Sequence, residues 1–425
     1  MQDKADIQLI KTINEIRLLN LIREHGPISR NELSRKSRIS KVAVSDIINR
    51  LDESGFILEI GKGKSTKKGG KRPTLLKLNA ENGFVIGIEI KMRYTNVALA
   101  NIESEILAME PIHYEAGSSM DKVIPRIQQK IEQLFNNVGY DPKKLISIGI
   151  GIPGFVDYSR GELNFADTLR GWAHLPIAKR FTEYFHVNTI VENDVNTITY
   201  GESLKGAGRG RSNMVCIWIG DGIGSGIIVG RQMVRGENGN AGEIGYLELG
   251  HCVSNRDRIK HLYTNQRFFG EILSEVNLAE AIRMKLQWNV DSGNLHDNSI
   301  AAMLRAGDQG NAMVQEIVDE YAYILSILCM NFIKTLNPNL IILTGHVIEH
   351  SDYLLYKVRQ LVKQSMINIP FQETPIVKGE LNGMAGVNGA IEVALQTIFE
   401  QPVTKRENHV KVSVDEDYNN ELIRR

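Results

Sequence analysis

The chain is poor in cysteine: its 425 residues include three, Cys216, Cys252 and Cys329, widely spaced and odd in number. That argues against a disulfide framework and for a reducing cytoplasm. It has no uninterrupted apolar run of about 18 residues, so no membrane span is expected. The opening MQDKADIQ is polar and of mixed charge, unlike a secretory signal. With 11 prolines and 38 glycines, low complexity is excluded. Net charge is also lacking, since 50 basic residues balance 50 acidic ones. A composition of 42% hydrophobic and 24% charged residues is ordinary for a soluble globular protein. The length suggests two or three domains.

The neutrality conceals an asymmetry. Residues 1–77 hold 17 Lys and Arg against 9 Asp and Glu, a surplus of 8, which leaves the remainder at −8. A basic module on an acidic body suggests an anionic partner for the module. Lys11–His25 has apolar residues at helical spacing and ends at Gly26-Pro27. Ser29 with Glu32 reads as a capping box opening a second helix. Ser40 opens a third, with Val42, Val44, Ile47, Ile48 and Leu51 apolar. Phe56–Ile60 and Thr74–Leu78 read as strands around GKGKSTKKGGKRP, a loop with six basic residues and no acidic one. This order is that of a winged helix-turn-helix, which predicts double-stranded DNA as partner. Lys41, Ser45, Asn49 and Arg50 on the third helix would meet the major groove. Lys67, Lys68, Lys71 and Arg72 in the wing would meet phosphates and an A·T-rich minor groove.

From Gly83 the pattern changes. Phe84–Ile90, Asn96–Ala100 and Glu105–Pro111 read as strands, and Ser119–Val138 as an amphipathic helix. Ile146–Ile152 and Thr189–Glu192 are further strands. Asn193-Asp194 follow, and Val195–Leu204 is helical, so Asp194 can serve as a helix cap. Val215–Ile219 and Gly226–Val229 form a hairpin around GDGIGSG. Mostly helical sequence runs from about Phe268 to Leu336. Leu340–Thr344 is a strand, and Glu380–Gln396 closes the pattern with a glycine-rich turn and a helix. Alternating strands and helices with polar strand ends indicate an α/β fold with a cleft. Arg235–Tyr246, RGENGNAGEIGY, sets five polar or charged side chains among four glycines. It reads as a loop over a pocket with Glu237, Asn238, Asn240 and Glu243 pointing in.

These residues carry a resemblance. GGKRP, GIGIPGFVD (149–157), Gly171-Trp172, ENDVN (192–196), GDGIGSGIIVG (220–230), RGENGNAGEIGY and NPNLIILTG (337–345) together resemble the ROK family, which groups repressors, open reading frames and sugar kinases. The branch most resembled is the xylose-repressor and N-acetylglucosamine-repressor type. The resemblance implies a two-lobed actin-like (ribonuclease H-like) body with a sugar site between the lobes. It implies a winged helix over 1–80 and a sensing domain over 81–400. A small lobe would span 81–195 plus a closing helix at 385–400, and a large lobe 196–384. A charged tail, 401–425, lies outside it. By resemblance Asn193, Asp194 and Glu243 are sugar-binding, and Thr168 and Tyr246 occupy family positions usually held by Asn and His.

Two departures matter. Where family kinases carry a DxGGTK-like phosphate loop, Glu89–Thr95 has bulky residues instead, so no kinase activity and no catalytic residue are expected. Where relatives carry a zinc-binding CxCGxxGC cluster, this chain has one cysteine. No zinc or other cofactor is therefore expected, although His251, Cys252 and His261 could supply three ligands. Glu271 or Glu275 would replace a further sugar-contacting glutamate. The resulting expectation is a cytoplasmic repressor of sugar-utilisation genes, xylose metabolism among them. It would bind operator DNA as a homodimer or dimer of dimers and respond to a small sugar. Alternatives are a sugar kinase with an added DNA-binding domain, or a regulator with a degenerate pocket controlled by a protein partner.

Overall fold

A computed structural model describes residues 2–63, 72–169, 171–249, 256–262, 266–286, 299–365 and 373–400. The amino-terminal module comprises α1 (Gln2–His25), β1 (Ile28–Ser29), α2 (Arg30–Ser37), α3 (Lys41–Glu53), β2 (Ile57–Lys62) and β3 (Thr74–Leu78). Helix α1 begins nine residues before the apolar pattern that signals it. The Ser29–Glu32 capping box is formed, and Ser40 caps α3. The three strands pair antiparallel in the order β1-β3-β2. The wing residues Lys67, Lys68 and Lys71 lie outside the described residues; Arg72, at the wing's end, is exposed.

The body contains two sheets of the same topology. The small lobe has β4 (Phe84–Ile90), β5 (Tyr94–Asn101), β6 (Ile106–His113), α4 (Met120–Val138), β7 (Leu145–Ile152), β8 (Phe155–Asp157), β9 (Glu162–Phe165), α5 (Ile177–Phe185) and β10 (Asn188–Asn193). Helix α6 (Asp194–Leu204) then leads into the large lobe. That lobe has β11 (Met214–Ile219), β12 (Ile223–Val229), β13 (Gln232–Met233), α7 (Phe269–Ile272), α8 (Glu275–Leu286), α9 (Ile300–Asp308), α10 (Ala312–Leu336), β14 (Leu340–Thr344), α11 (His346–Glu349), α12 (Asp352–Ser365) and β15 (Ile376–Lys378). Helix α13 (Ala385–Phe399) closes the described chain. The sheets run β10-β7-β4-β5-β6 and β13-β12-β11-β14-β15. In each, an antiparallel three-strand meander is extended by two parallel strands reached through helices. This repeat is the actin-like pair of lobes that the resemblance implies.

Helices α6 and α13 pack together between the lobes, and glycines make their approach close. A Cβ on Gly389 would lie 1.6 Å from the Thr197 carbonyl oxygen, and one on Gly149 would lie 2.0 Å from that of Ala390. So α13 rests on bare backbone of both α6 and β7.

The winged helix is not a separate bead. Leu18, Leu19 and Ile22 of α1 share one buried cluster with Val387, Ile391, Leu395 and Ile398 of α13. Polar contacts reinforce this seam. Glu392, almost fully buried, takes a hydrogen bond from Arg23 at 2.6 Å and one from the Ser104 hydroxyl at 2.6 Å. The Arg23 guanidinium also lies 4.4 Å from the centre of the Phe399 ring.

Candidate functional site

The cleft between the lobes is lined by Thr168, Asn193, Asp194, Glu243 and Tyr246, which come from three separate segments. Lys91, Tyr94, Asp167, Trp218, Asp221, Glu271 and Glu275 join them. The walls are strand ends and helix starts, where an α/β sheet leaves room for a ligand.

Asn193 caps α6: its side-chain oxygen accepts from the Val195 and Asn196 amides, and its amide donates to the Gly154 carbonyl at 3.0 Å. The cap expected of Asp194 therefore belongs to its neighbour, and Asp194 is the first residue of the helix proper. Its carboxylate accepts from the Val195 amide at 3.0 Å. Burial pushes its pKa up, against the pull of Lys91.

Lys91 is the residue that sequence reasoning passed over. It stands in the turn between β4 and β5, 3.2 Å from Glu89 and 3.9 Å from Asp194, with Trp218 5.5 Å away. Burial alone would lower its pKa, but Glu89 and Asp194 outweigh that and raise it. Glu89 also accepts from the Asn96 amide and lies against Gly386, at the start of α13. The cleft thus carries a built-in ammonium on its acidic pair. Nothing in composition marks one lysine among many as internal.

The glycine-rich loop behaves differently from expectation. The Ala241 amide donates to the Arg235 carbonyl, closing a turn whose tip carries Glu237, Asn238 and Asn240. All three are exposed and lie away from the cleft, so only Glu243 of the four points in. Gly242 is what directs it. At φ 94° its backbone presses on Ser225, where a Cβ would meet the carbonyl oxygen at 1.9 Å. Arg235 anchors the loop's start through Glu192 at 2.7 Å and stacks 3.9 Å from the Tyr158 ring.

Burial, then the nearby Asp194 and Asp167 carboxylates, push the Glu243 pKa up to about 7. Its folded value exceeds the unfolded one, so the group favours folding at low pH and loses that contribution as pH rises from about 4.5 to about 7. Glu243→Gln should therefore gain in Tm relative to the parent chain across that window and hold a constant offset above it. A pH series of thermal melts measures this; parallel curves throughout would refute it.

Tyr246 donates to Asp167, which spans the cleft from the small lobe, and burial and that bond raise the tyrosine's pKa. Glu271 accepts from the Arg267 and Phe268 amides, and Glu275 lies 3.1 Å from His346, so both glutamates are partly committed to the fold.

Of the three residues suggested for zinc, the structure describes one, His261. His251 and Cys252 lie outside the described residues. His261 is bound through Nδ1 to Glu320, whose other oxygen accepts the His261 and Leu262 amides. Among the described residues no group of three or more His, Cys, Asp and Glu side chains is placed to hold a metal.

On the winged helix, Lys41, Ser45 and Asn49 fall on one outward stripe of α3. Arg50 does not join them: it pairs at 3.5 Å with Glu15, a buried residue of α1. Two residues the sequence reading missed do join them. Val42, read there as part of the apolar pattern, is 72% exposed on the same face. Arg30 donates to the Asn49 side-chain oxygen at 2.9 Å, a contact set by the helix-to-helix turn rather than by spacing along α3.

A winged helix joined to two actin-like lobes around a carboxylate-lined cleft defines the class of protein. Residues 85–397 match the ROK family, and the chain belongs to it; residues 11–58 match the MarR family. The chain is similar to a xylose repressor of Caldicellulosiruptor bescii, 25% identical over 398 residues, covering 93% of this chain and 98% of that one. It is 29% identical over 367 residues to the xylose repressor of Bacillus subtilis, covering 85% and 89%. A solved ROK family transcriptional regulator, a homolog of E. coli MLC protein, superposes with a TM-score of 0.77 at 21% identity, over 92% of this chain and 97% of that one.

Proposed function

We propose that this chain is a DNA-binding transcriptional repressor of sugar-utilisation genes, controlled by a sugar held between its lobes. The observation that carries the reading is α13. Its first turn, Ala385-Gly386, lines the cleft, and its last turns share a core with the helix-turn-helix. A ligand that draws the lobes together would move α13 and with it α1. That is allostery if the sugar binds the two arrangements with different affinity. In the cleft, Asp194, Glu243 and Thr168 would accept and donate to sugar hydroxyls. The side chains of Asn193 and Tyr246 are already bonded, so they would shape the site more than grip the ligand.

The same geometry favours regulation over phosphoryl transfer. Lys91 lies against Asp194, the position a kinase would use as base, and bulky Lys91-Met92-Arg93 replace the glycines a phosphate needs for close approach. A coupled ADP-release assay with xylose and common hexoses should read background.

At the DNA, Lys41, Ser45 and Asn49 would face base edges and phosphates, with Val42 placed for a thymine methyl. A helix-turn-helix reads paired half-sites, which makes the working species a dimer on a palindromic operator. The test is a gel shift on duplex selected by the full chain from a random pool, repeated across xylose, glucose, N-acetylglucosamine and their phosphates. An unchanged shift with every one would sink the sugar-controlled reading. Arg72→Ala should weaken binding about tenfold on A·T-rich flanks and much less on G·C-rich ones. Equal losses would place Arg72 on phosphate alone.

A further inference from the structure

The cleft's lip is aromatic, and the rings come from both lobes. Phe155, at the start of β8, lies 5.6 Å from the Tyr246 ring and 6.3 Å from Phe165, and Phe268 follows 6.5 Å from Tyr246. Phe155, Tyr246 and Phe268 line the cleft, and Phe165 backs Phe155 from the surface. Tyr246 and Phe165 are each 49% exposed. The Tyr246–Asp167 hydrogen bond fixes the ring's tilt across the gap between the lobes.

The room in the cleft is larger than one sugar needs. It encloses roughly 880 Å³, near the top of the range of about 300–1,000 Å³ that holds drug-sized ligands. A single hexose is far smaller. On the side of the cleft away from the rings, Lys91 neutralises Glu89 and Asp194, and His346 is hydrogen-bonded to Glu275. The same continuous cavity reaches from Asp194 and Glu243 to Phe155, Tyr246 and Phe268, so a ligand longer than one ring meets the aromatic lip.

Flat aromatic faces beside carboxylates suit the two kinds of surface a sugar ring presents. Its axial C–H groups form an apolar patch that lies on a ring face, while its hydroxyls bond the polar rim. We infer that the effector is a neutral disaccharide, its inner ring held at Asp194 and Glu243 and its outer ring stacked on the Phe155–Tyr246–Phe268 lip. This rests on the reading of the cleft as a sugar site and adds to it the length of the ligand. It also gives Tyr246 a task of its own, as a platform rather than a histidine substitute.

The test is calorimetric titration of the full chain with xylose, glucose and N-acetylglucosamine, and with xylobiose, cellobiose, maltose and chitobiose. At least one disaccharide should bind about tenfold or more tightly than its own monosaccharide. Phe155→Leu and Phe268→Leu keep apolar bulk but remove the flat face, and each should bring that preference to within about twofold. Thermal melts of both variants show whether they remain folded, and two separate positions guard against one failing. Monosaccharides binding as tightly as every disaccharide would overturn the inference and leave the sugar-sensing reading standing. So would a preference that survives in both folded variants. Silence with every sugar, together with an unchanged gel shift, would overturn both.

Discussion

Gly389→Ala should destabilise the body by on the order of 3 kcal/mol, the upper part of the usual range for overpacking a filled core. On helix propensity alone the change would be favourable by up to about 1 kcal/mol, since glycine is a poor helix interior residue. Sterics decides against it. The added methyl would lie 1.6 Å from the Thr197 carbonyl oxygen and 2.4 Å from its carbon, both backbone atoms of α6. A flexible side chain could swing aside, but a helix backbone cannot. The helices would have to separate, and α13 is also seated on β7 through Gly149 and on α6 through Gly201. A drop of several degrees in Tm is expected. A melting temperature equal to the parent's would mean that the helices part freely. The same variant bears on sensing. The α6–α13 crossing is where the lobes join, and both helices begin at the cleft. Forcing them apart should change the lobe angle and blunt the response of operator binding to sugar.

What could be read from the sequence was local or periodic. The Ser29–Glu32 capping box needs three consecutive steps of chain, and the buried strand Leu340–Thr344 announces itself as a short apolar run. Among the elements that the sequence pattern does not reveal are Ile177–Phe185, Asp352–Ser365, the hairpin strands Phe155–Asp157 and Glu162–Phe165, and the edge strand Ile376–Lys378. The hairpin is short and its faces are half-exposed, so alternation barely shows. The first helix starts after Pro176 without a side-chain cap and carries only two buried residues, Ile177 and Phe181.

In the cleft, residue types and motifs pointed to Asp194 and Glu243, but the direction of a side chain depends on turns closed by distant backbone. Gly242 against Ser225 turns Glu243 inward and leaves Glu237, Asn238 and Asn240 outside. Lys91 and Arg50 show the same limit for charge. One reads only as part of the bulky stretch Glu89–Thr95 and the other as a DNA contact, yet partners 103 and 35 positions away draw both toward the fold, although the Arg50 side chain stays exposed. Asp167, which holds Tyr246 across the cleft, has no signal beyond standing next to Thr168.

Glu392→Ala should separate sensing from DNA binding. Glu392 lies on α13 with its side chain 2% exposed, and it accepts from Arg23 of α1 and from Ser104 in the turn between β5 and β6. Lys205, at the end of α6, donates to the Ser104 carbonyl and to Asn388, one turn before Glu392 on α13. Helix α1, the β5–β6 turn and α13 therefore meet at one acidic side chain, and α6 joins them through Lys205. Removing it leaves the Arg23 guanidinium and the Ser104 hydroxyl without their acceptor. Breaking a buried ion pair from one side typically costs about 3–5 kcal/mol. Arg23 keeps some contact with solvent, so the lower part of that range is expected here. Most of the loss should fall on the seam, because the winged helix retains its own core of Leu33, Val44, Ile48 and Leu51. Operator affinity should fall, sugar affinity should stay within about twofold, and the effect of sugar on operator binding should shrink or vanish.

The pair Arg23→Met with Glu392→Leu separates stability from signalling. Apolar replacement of both partners is often neutral or stabilising, so this double variant should melt above either single one. If the ion pair itself carries the signal, the double variant binds its operator but ignores sugar. If apolar contact between α1 and α13 is enough, the response returns with stability. A Glu392→Ala chain that keeps the full sugar response would show that the signal passes from the lobes to the DNA by another path.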